Sequence, residues 1–148
     1  MTVTTRAVEA ADRPVWDRLY AGYAAFYRVD QTPAMRDTVW GWLMDPAHAL
    51  CGLVACDAEG TVIGLAHYRA FARPLSASTG GFLDDLFVDP DRRGSGAADA
   101  LILALRAIGT ARGWTVIRWI TAGDNQRARR VYDRLARETP WVTYDITL

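Results

Sequence analysis

Val88-Asp89-Pro90-Asp91-Arg92-Arg93-Gly94-Ser95-Gly96-Ala97-Ala98 joins an apolar, strand-like run to a long helical one. Upstream, Gly81–Val88 reads as a strand that Pro90 ends, because proline has no N–H for a ladder. Downstream, residues 97–112 (AADALILALRAIGTAR) are rich in alanine and leucine and predict a helix. Between them, Gly94 and Gly96 let the backbone approach a ligand with no Cβ in the way. Small residues at 95, 97 and 98 keep that surface open. The helix start adds unpaired N–H groups and a positive dipole end. Together these predict an anion site suited to a pyrophosphate, with Arg92 and Arg93 charging its lip. The plain alternative is a glycine turn with solvated arginines. A dinucleotide fingerprint is excluded: Asp99 stands where a third glycine is needed, and Thr115-Val116-Ile117-Arg118-Trp119 supplies no ribose-binding carboxylate.

Working outward, Trp114–Thr121 reads as a strand, so 81–121 forms a strand–helix–strand unit with parallel pairing. Gly123 or Asp124 opens a helix running to about Arg137, and Trp141–Leu148 is strand-like. Toward the N-terminus, residues 2–8 alternate as a strand. Asp12 and Pro14 mark a helix entry, followed by Val15, Trp16, Leu19, Tyr23, Phe26 and Tyr27 at helical spacing. A second helix is predicted over 33–44. Leu50–Cys56 and Thr61–Phe71 flank the turn cluster 57–60 as a hairpin, and 73–80 reads as loop. The order β-α-α-β-β-β-α-β-α-β predicts an α/β (α+β) fold, a mixed central sheet flanked by helices, in one domain over 1–148.

The chain has 148 residues, with 17 basic and 17 acidic side chains and no net charge. A general binder of nucleic acid or membrane surfaces needs a basic excess, so neither partner is expected. Every basic residue is arginine. The absence of lysine excludes a P-loop NTPase, Schiff-base chemistry and a protein kinase. Cys51 and Cys56 would face opposite sides of a strand, which suits neither a disulfide nor a metal clip. They read as core thiols in a reducing compartment. No metal is expected. With no signal-peptide pattern and no long apolar stretch, the expected location is the cytoplasm.

Arg93-x-x-Gly96-x-Ala98 resembles the R/Q-x-x-G-x-G/A signature of the GNAT acyltransferases. Leu83-Asp84-Asp85-Leu86-Phe87-Val88-Asp89-Pro90 resembles that family's central strand, and Asn125-x-x-Ala128-x-x-Val131-Tyr132-x-x-Leu135 its second motif. The nearest subgroup is the polyamine-type and the yeast histone- and D-amino-acid-type N-acetyltransferases. The resemblance implies acetyl-CoA as co-substrate, with pyrophosphate held by backbone N–H groups of Arg93, Gly94, Ser95, Gly96, Ala97, Ala98 and Asp99. It implies pantetheine pairing along Leu86, Phe87 and Val88, help from Asn125 and the adjoining Ala128, and Tyr132 near the thioester sulfur. It also implies a homodimer.

The chemistry of direct transfer fits those positions. An amine attacks the thioester, the developing oxyanion needs a donor such as the Val88 N–H, and a thiolate leaves. A phenol near pKa ~10 can protonate a thiolate whose acid has pKa ~8.5, which suits Tyr132. The alternative for Tyr132 is a helix tyrosine at a core edge, and for Asn125 a helix-start residue. Asp84 and Asp85 are candidates to bind or deprotonate the amine. Simple alternation puts Phe82, Asp84, Leu86 and Val88 on one face and Leu83, Asp85 and Phe87 on the other. The subgroup usually carries glutamate in place of Asp84. The alternative is that either aspartate pairs with Arg69 or Arg118. Tyr23, Phe26, Tyr27 and Asp30 recur at helical spacing as an aromatic, acidic wall for a cationic substrate, or else as plain core. His67 reads as structural more than as a base. Where the family has a Gly-Phe pair, this chain has Ala136-Arg137-Glu138-Thr139-Pro140-Trp141, and Trp141 and Tyr144 fall at a potential subunit interface. The expected activity is N-acetylation of a small primary amine, polyamine or amino-acid-like. The alternatives are a protein terminus or lysine tail as acceptor, or a non-catalytic acyl-CoA-binding module.

Overall fold

The computed structural model describes residues 2–148. Its elements run β1 (Thr4–Ala7), α1 (Arg13–Phe26), α2 (Pro33–Met44), β2 (Cys51–Cys56), β3 (Val62–Arg73), β4 (Ser78–Val88), α3 (Ala97–Arg112), β5 (Ile117–Arg118) and α4 (Gln126–Leu135). Proline enters α1 and α2 at the first turn, where a missing N–H is harmless. Thr32 caps α2 by accepting from the Met35 N–H. The strands lie side by side in chain order, antiparallel from β1 to β4 and parallel between β4 and β5.

Both faces of the sheet are covered, so β2 reads as one continuous apolar run. On one face Leu53, Ala55, Ala66 and Leu83 pack against Ala97, Leu101, Ile102 and Leu105 of α3. On the other, Val54, Cys56, Leu65 and Phe87 pack against Trp16 and Leu19 of α1. Cys51 packs toward the α3 face and Cys56 toward the α1 face, and both are free thiols.

The alternation expected along β4 breaks at Asp84. Asp85 lies opposite His67 and Leu83 opposite Tyr68, so Asp84 has no residue across from it. This is a β-bulge, which inserts one residue and increases the local twist. It places Leu83 with Leu86 and Val88 on the α3 face, while Asp85 and Phe87 turn to α1.

Three segments depart from expectation. The loop predicted over 73–80 shrinks to a 3-10 turn at Pro74–Ser76, and Ser78 and Thr79 join β4. Their hydroxyl and backbone groups bond across to Thr115, which offsets weak strand propensity. The strand predicted over 114–121 pairs only at Ile117 and Arg118, opposite Gly81 and Phe82. Trp114 lies flat on Gly81, where a Cβ would come within 2.4 Å of the indole ring. Past Phe82, just before the bulge, β4 makes no further pair with β5. The last strand, predicted over 141–148, is not formed: residues 136–148 have no helix or strand. An alternating segment needs a neighbour to supply hydrogen bonds and a covering face. This one has neither among the described residues, and Trp141 and Tyr144 are 80% and 91% exposed.

Candidate active site

Just past the end of β4, the chain enters a 3-10 turn at Pro90–Arg92, capped by Asp89 accepting from the Asp91 N–H at 3.1 Å. Gly94 and Gly96 then take φ of +81° and +87°, in the left-handed region that favours glycine. This aims consecutive amides at one spot in front of α3. Among the described residues, the N–H groups of Gly94, Gly96, Ala98 and Asp99 have no protein acceptor, while Ala97 donates to Ser95 Oγ at 3.3 Å. Asp99 would repel an anion there, but Arg134 holds it at 3.0 Å. Arg92 does not stand at the lip as expected. It donates to Asp57 at 2.9 Å, because that buried carboxylate in the β2–β3 turn needs a counter-charge. Arg93 is the free one, lying 5.6 Å over the Phe26 ring.

In front of these amides lies a cleft of about 580 Å³. Leu86–Val88 form one wall, 93–99 the floor, and Asn125, Ala128 and Tyr132 the opposite wall. Phe26, expected in the acceptor wall, and Val131 of the second motif also line it, as do Arg127 and Arg134, which were not anticipated. Their signal was present: 127, 128, 131, 132 and 134 fall on one face of α4. Asn125 is the N-cap of α4, accepting from the Ala128 N–H at 3.3 Å, and its amide reaches the Tyr27 hydroxyl at 3.5 Å.

Tyr132 sits at the inner end of the cleft, edge-on to Trp119 at 5.3 Å. Burial, with a contribution from Tyr27, pushes its hydroxyl up to about 12, so it stays protonated. A narrow recess of about 20 Å³ opens on its far side, lined by Tyr23, Tyr27, Asp84, Trp119 and Thr121. Leu86, Tyr27 and Tyr132 border both spaces. Asp30, expected in the acceptor wall, is exposed and lines neither, because it lies past the end of α1.

The two aspartates have different surroundings. Asp84 pairs with Arg69 at 3.1 Å, as the structural alternative anticipated. Burial raises its carboxyl, and the Arg69 hydrogen bond offsets this only in part. Asp85 has no arginine. Its Oδ2 accepts from His67 Nδ1 at 2.8 Å and from the Tyr20 hydroxyl at 2.9 Å. Burial acts to raise Asp85, but the hydrogen bonds from His67 and Tyr20 outweigh it and hold it below the usual carboxylate range. His67 is buried, and its Nε2 accepts from the Trp16 indole at 2.9 Å.

A family model described as Acetyltransferase (GNAT) family matches residues 16–136. The chain belongs to the GNAT acetyltransferases. It is 28% identical over 143 residues to a D-amino-acid N-acetyltransferase of Saccharomyces cerevisiae, covering 96% of this chain and 89% of that one. The crystal structure of a ribosomal-protein-alanine N-acetyltransferase from Brucella melitensis shares the fold with a TM-score of 0.82 at 23% identity, covering both chains completely. An aminoglycoside acetyltransferase from an uncultured soil sample shares it with a TM-score of 0.77 at 21% identity, over 100% of this chain and 99% of that one. This GNAT chain is thus an N-acetyltransferase by family. The acceptors in those names are a D-amino acid, a ribosomal-protein alanine and an aminoglycoside, so the acceptor has to be argued from the recess.

Proposed function

We propose that the protein transfers an acetyl group from acetyl-CoA directly onto a primary amine of a small molecule, polyamine or amino-acid-like. The observation that carries this reading is the meeting of two spaces at Tyr132, an amide-floored cleft and a narrow recess bearing a carboxylate. Acetyl-CoA fits the cleft by its chemistry. The unpartnered amides of Gly94, Gly96, Ala98 and Asp99 suit a diphosphate, and the backbone edge of Leu86–Val88, unpaired with β5, suits an amide-bearing arm. Arg127 and Arg134 add positive charge along α4. When bound, acetyl-CoA supplies the activated acyl group.

Tyr132 supports the departing sulfur. A full proton transfer from a hydroxyl near 12 to a thiolate whose acid lies near ~8.5 is uphill by about 5 kcal/mol. Its role is therefore a hydrogen bond to the charge developing on sulfur, not complete protonation. The recess has room for about one water-sized group, such as the amine of an acceptor, beside an aromatic wall of Tyr23, Tyr27 and Trp119. Thr121 lines the recess, and its Oγ1 is buried without a partner among the described residues, a place for one polar group of the acceptor. Free Cys51 and Cys56 fit a reducing cytoplasm. A panel of polyamines, D- and L-amino acids and N-terminal peptides, read by thiol release, tests this function. Turnover of the small amines is expected, and acetylation of the peptides alone overturns the small-acceptor reading.

The alternating segment Val142, Tyr144, Ile146 and Leu148 supports pairing with a second copy, adding a strand beside the open edge of β5. Removing 141–148 should shift the mass in light scattering from dimer to monomer. A monomeric full chain rejects the pairing.

A further inference from the structure

The amide floor of the cleft has little packing of its own. Gly94 and Gly96 stand with nothing beyond their chain neighbours within 4 Å of where a Cβ would sit. The position of that floor is therefore set from its two ends. Downstream, Ala97 is buried among sheet residues, and the Ala100 N–H donates to the Gly96 carbonyl at 3.0 Å. Upstream, the Ser95 N–H donates to the Arg92 carbonyl at 3.3 Å, which closes the turn just before Gly96. Arg92 is itself fixed through its side chain. It does not line the cleft, and its Nη1 donates to Asp57 Oδ2 at 2.9 Å, in the turn between β2 and β3. That turn is wound on the same carboxylate: Asp57 Oδ1 accepts from the N–H groups of Glu59 and Thr61, each at 2.9 Å. Asp57 is buried, so one of its oxygens holds its own turn and the other holds the segment that leads into the floor. The Asp89 N–H, on the Ile63 carbonyl at 2.8 Å, fastens the start of that segment to β3.

We propose that Asp57 and Arg92 are a positioning pair that, from outside the cleft, aims the amides of Gly94, Gly96, Ala98 and Asp99 at the diphosphate of acetyl-CoA. This deepens the acetyl-CoA reading of the cleft and rests on it. Charge alone argues for the opposite effect. A carboxylate near a diphosphate site repels the anion, so removing it should tighten binding, and a released Arg92 guanidinium should tighten it further. Aiming reverses that sign. Convergent amides grip an anion only while their directions hold, so cutting the tether loosens binding even though a negative charge has gone. Neither residue lines the recess, so the effect falls on one substrate.

The test uses the intact protein. Asp57→Asn keeps an oxygen for Glu59 and Thr61 but turns an N–H toward Arg92, so the turn survives and the tether is cut. Calorimetry should show coenzyme A bound about tenfold more weakly, the worth of one hydrogen bond to a charged group. The KM for acetyl-CoA should rise by about the same factor, with kcat and the KM of spermidine or D-alanine as acceptor probes within twofold. Arg92→Met should behave alike, and the double variant should be no weaker than either single one, because both cut the same bond. Arg92→Lys keeps a cation within reach of Asp57 and should recover most of the affinity, an arm that stands even where Asp57→Asn fails to fold. Tighter or unmoved coenzyme A binding in Asp57→Asn, or losses that add in the double variant, overturns the proposal. A shallower salt dependence of binding in Arg92→Met also overturns it, since Arg92 would then touch the anion directly. Equal rises in KM for both substrates mark a general loosening and count against it in the same way. The unaltered protein separates the two readings. No coenzyme A binding there removes the cofactor reading itself, whereas binding that the variants leave alone removes only the positioning pair.

Discussion

The two halves of the site are built from different parts of the chain. The cofactor half is main chain: amides of 93–99 aimed by two glycines, and a strand edge freed where β4 leaves β5. The acceptor half is side chain: two adjacent aspartates at a bulge in β4, and tyrosines and an indole from α1. Backbone groups keep their chemistry under most substitutions, whereas a side-chain chain changes with one residue. The first half therefore suits a co-substrate common to a family, and the second an acceptor that differs among its members.

That contrast can be broken where the halves meet. Tyr132 borders both spaces. Tyr132→Phe should lower kcat about 100-fold, the usual worth of one donor to developing charge, and leave coenzyme A affinity within twofold. Steady-state kinetics beside calorimetry decides it, and unchanged turnover removes the phenol from the chemistry. Gly81→Ala should destabilise the fold by about 1–3 kcal/mol, because a Cβ at 2.4 Å from Trp114 overpacks the seam. A thermal melt reads this directly. Gly96→Ala should weaken acetyl-CoA binding about tenfold, from the ~1–2 kcal/mol that a side chain pays in the left-handed region. The acceptor KM should stay put, and an equal change in both substrates would dissolve the distinction between the halves.

The smallest effect separates the two aspartates. Asp85 is lowered on folding, so its contribution is complete above the ordinary carboxylate range and fades as pH falls through its folded value. Asp84 is raised, so the fold favours its protonated form, and that contribution fades as pH rises through the folded value. At neutral pH, Asp85→Asn should lower the melting temperature and Asp84→Asn should raise it slightly. Shifts of the same sign in both variants contradict the assignment.

The cofactor half was legible because it is local. Strand, proline, paired glycines and helix follow one another within 81–112, and each states its conformation through backbone chemistry. Helix α3 occupies the span its composition predicts. The face of α4 was legible in part: Val131 belongs to the quoted motif, while Arg127 and Arg134 carry the spacing but no motif. The acceptor half was not legible, because a bulge at Asp84 defeats alternation and depends on pairing with β3. Nothing near Trp16 in the chain announces His67, 51 positions away. Arg92 shows the same limit, since its partner Asp57 lies in another hairpin. The segment 141–148 has a strand's pattern without a strand's partner, and pattern alone forms no ladder.

The seam between β4 and β5 is two residue pairs long and sits beside the opening, not within it. Trp114 packed on Gly81 lets the two backbones come together at that end, and so sets the spacing from which the strands diverge. Reshaping the opening for a bulkier guest would thus begin at the seam, among atoms that no guest ever touches.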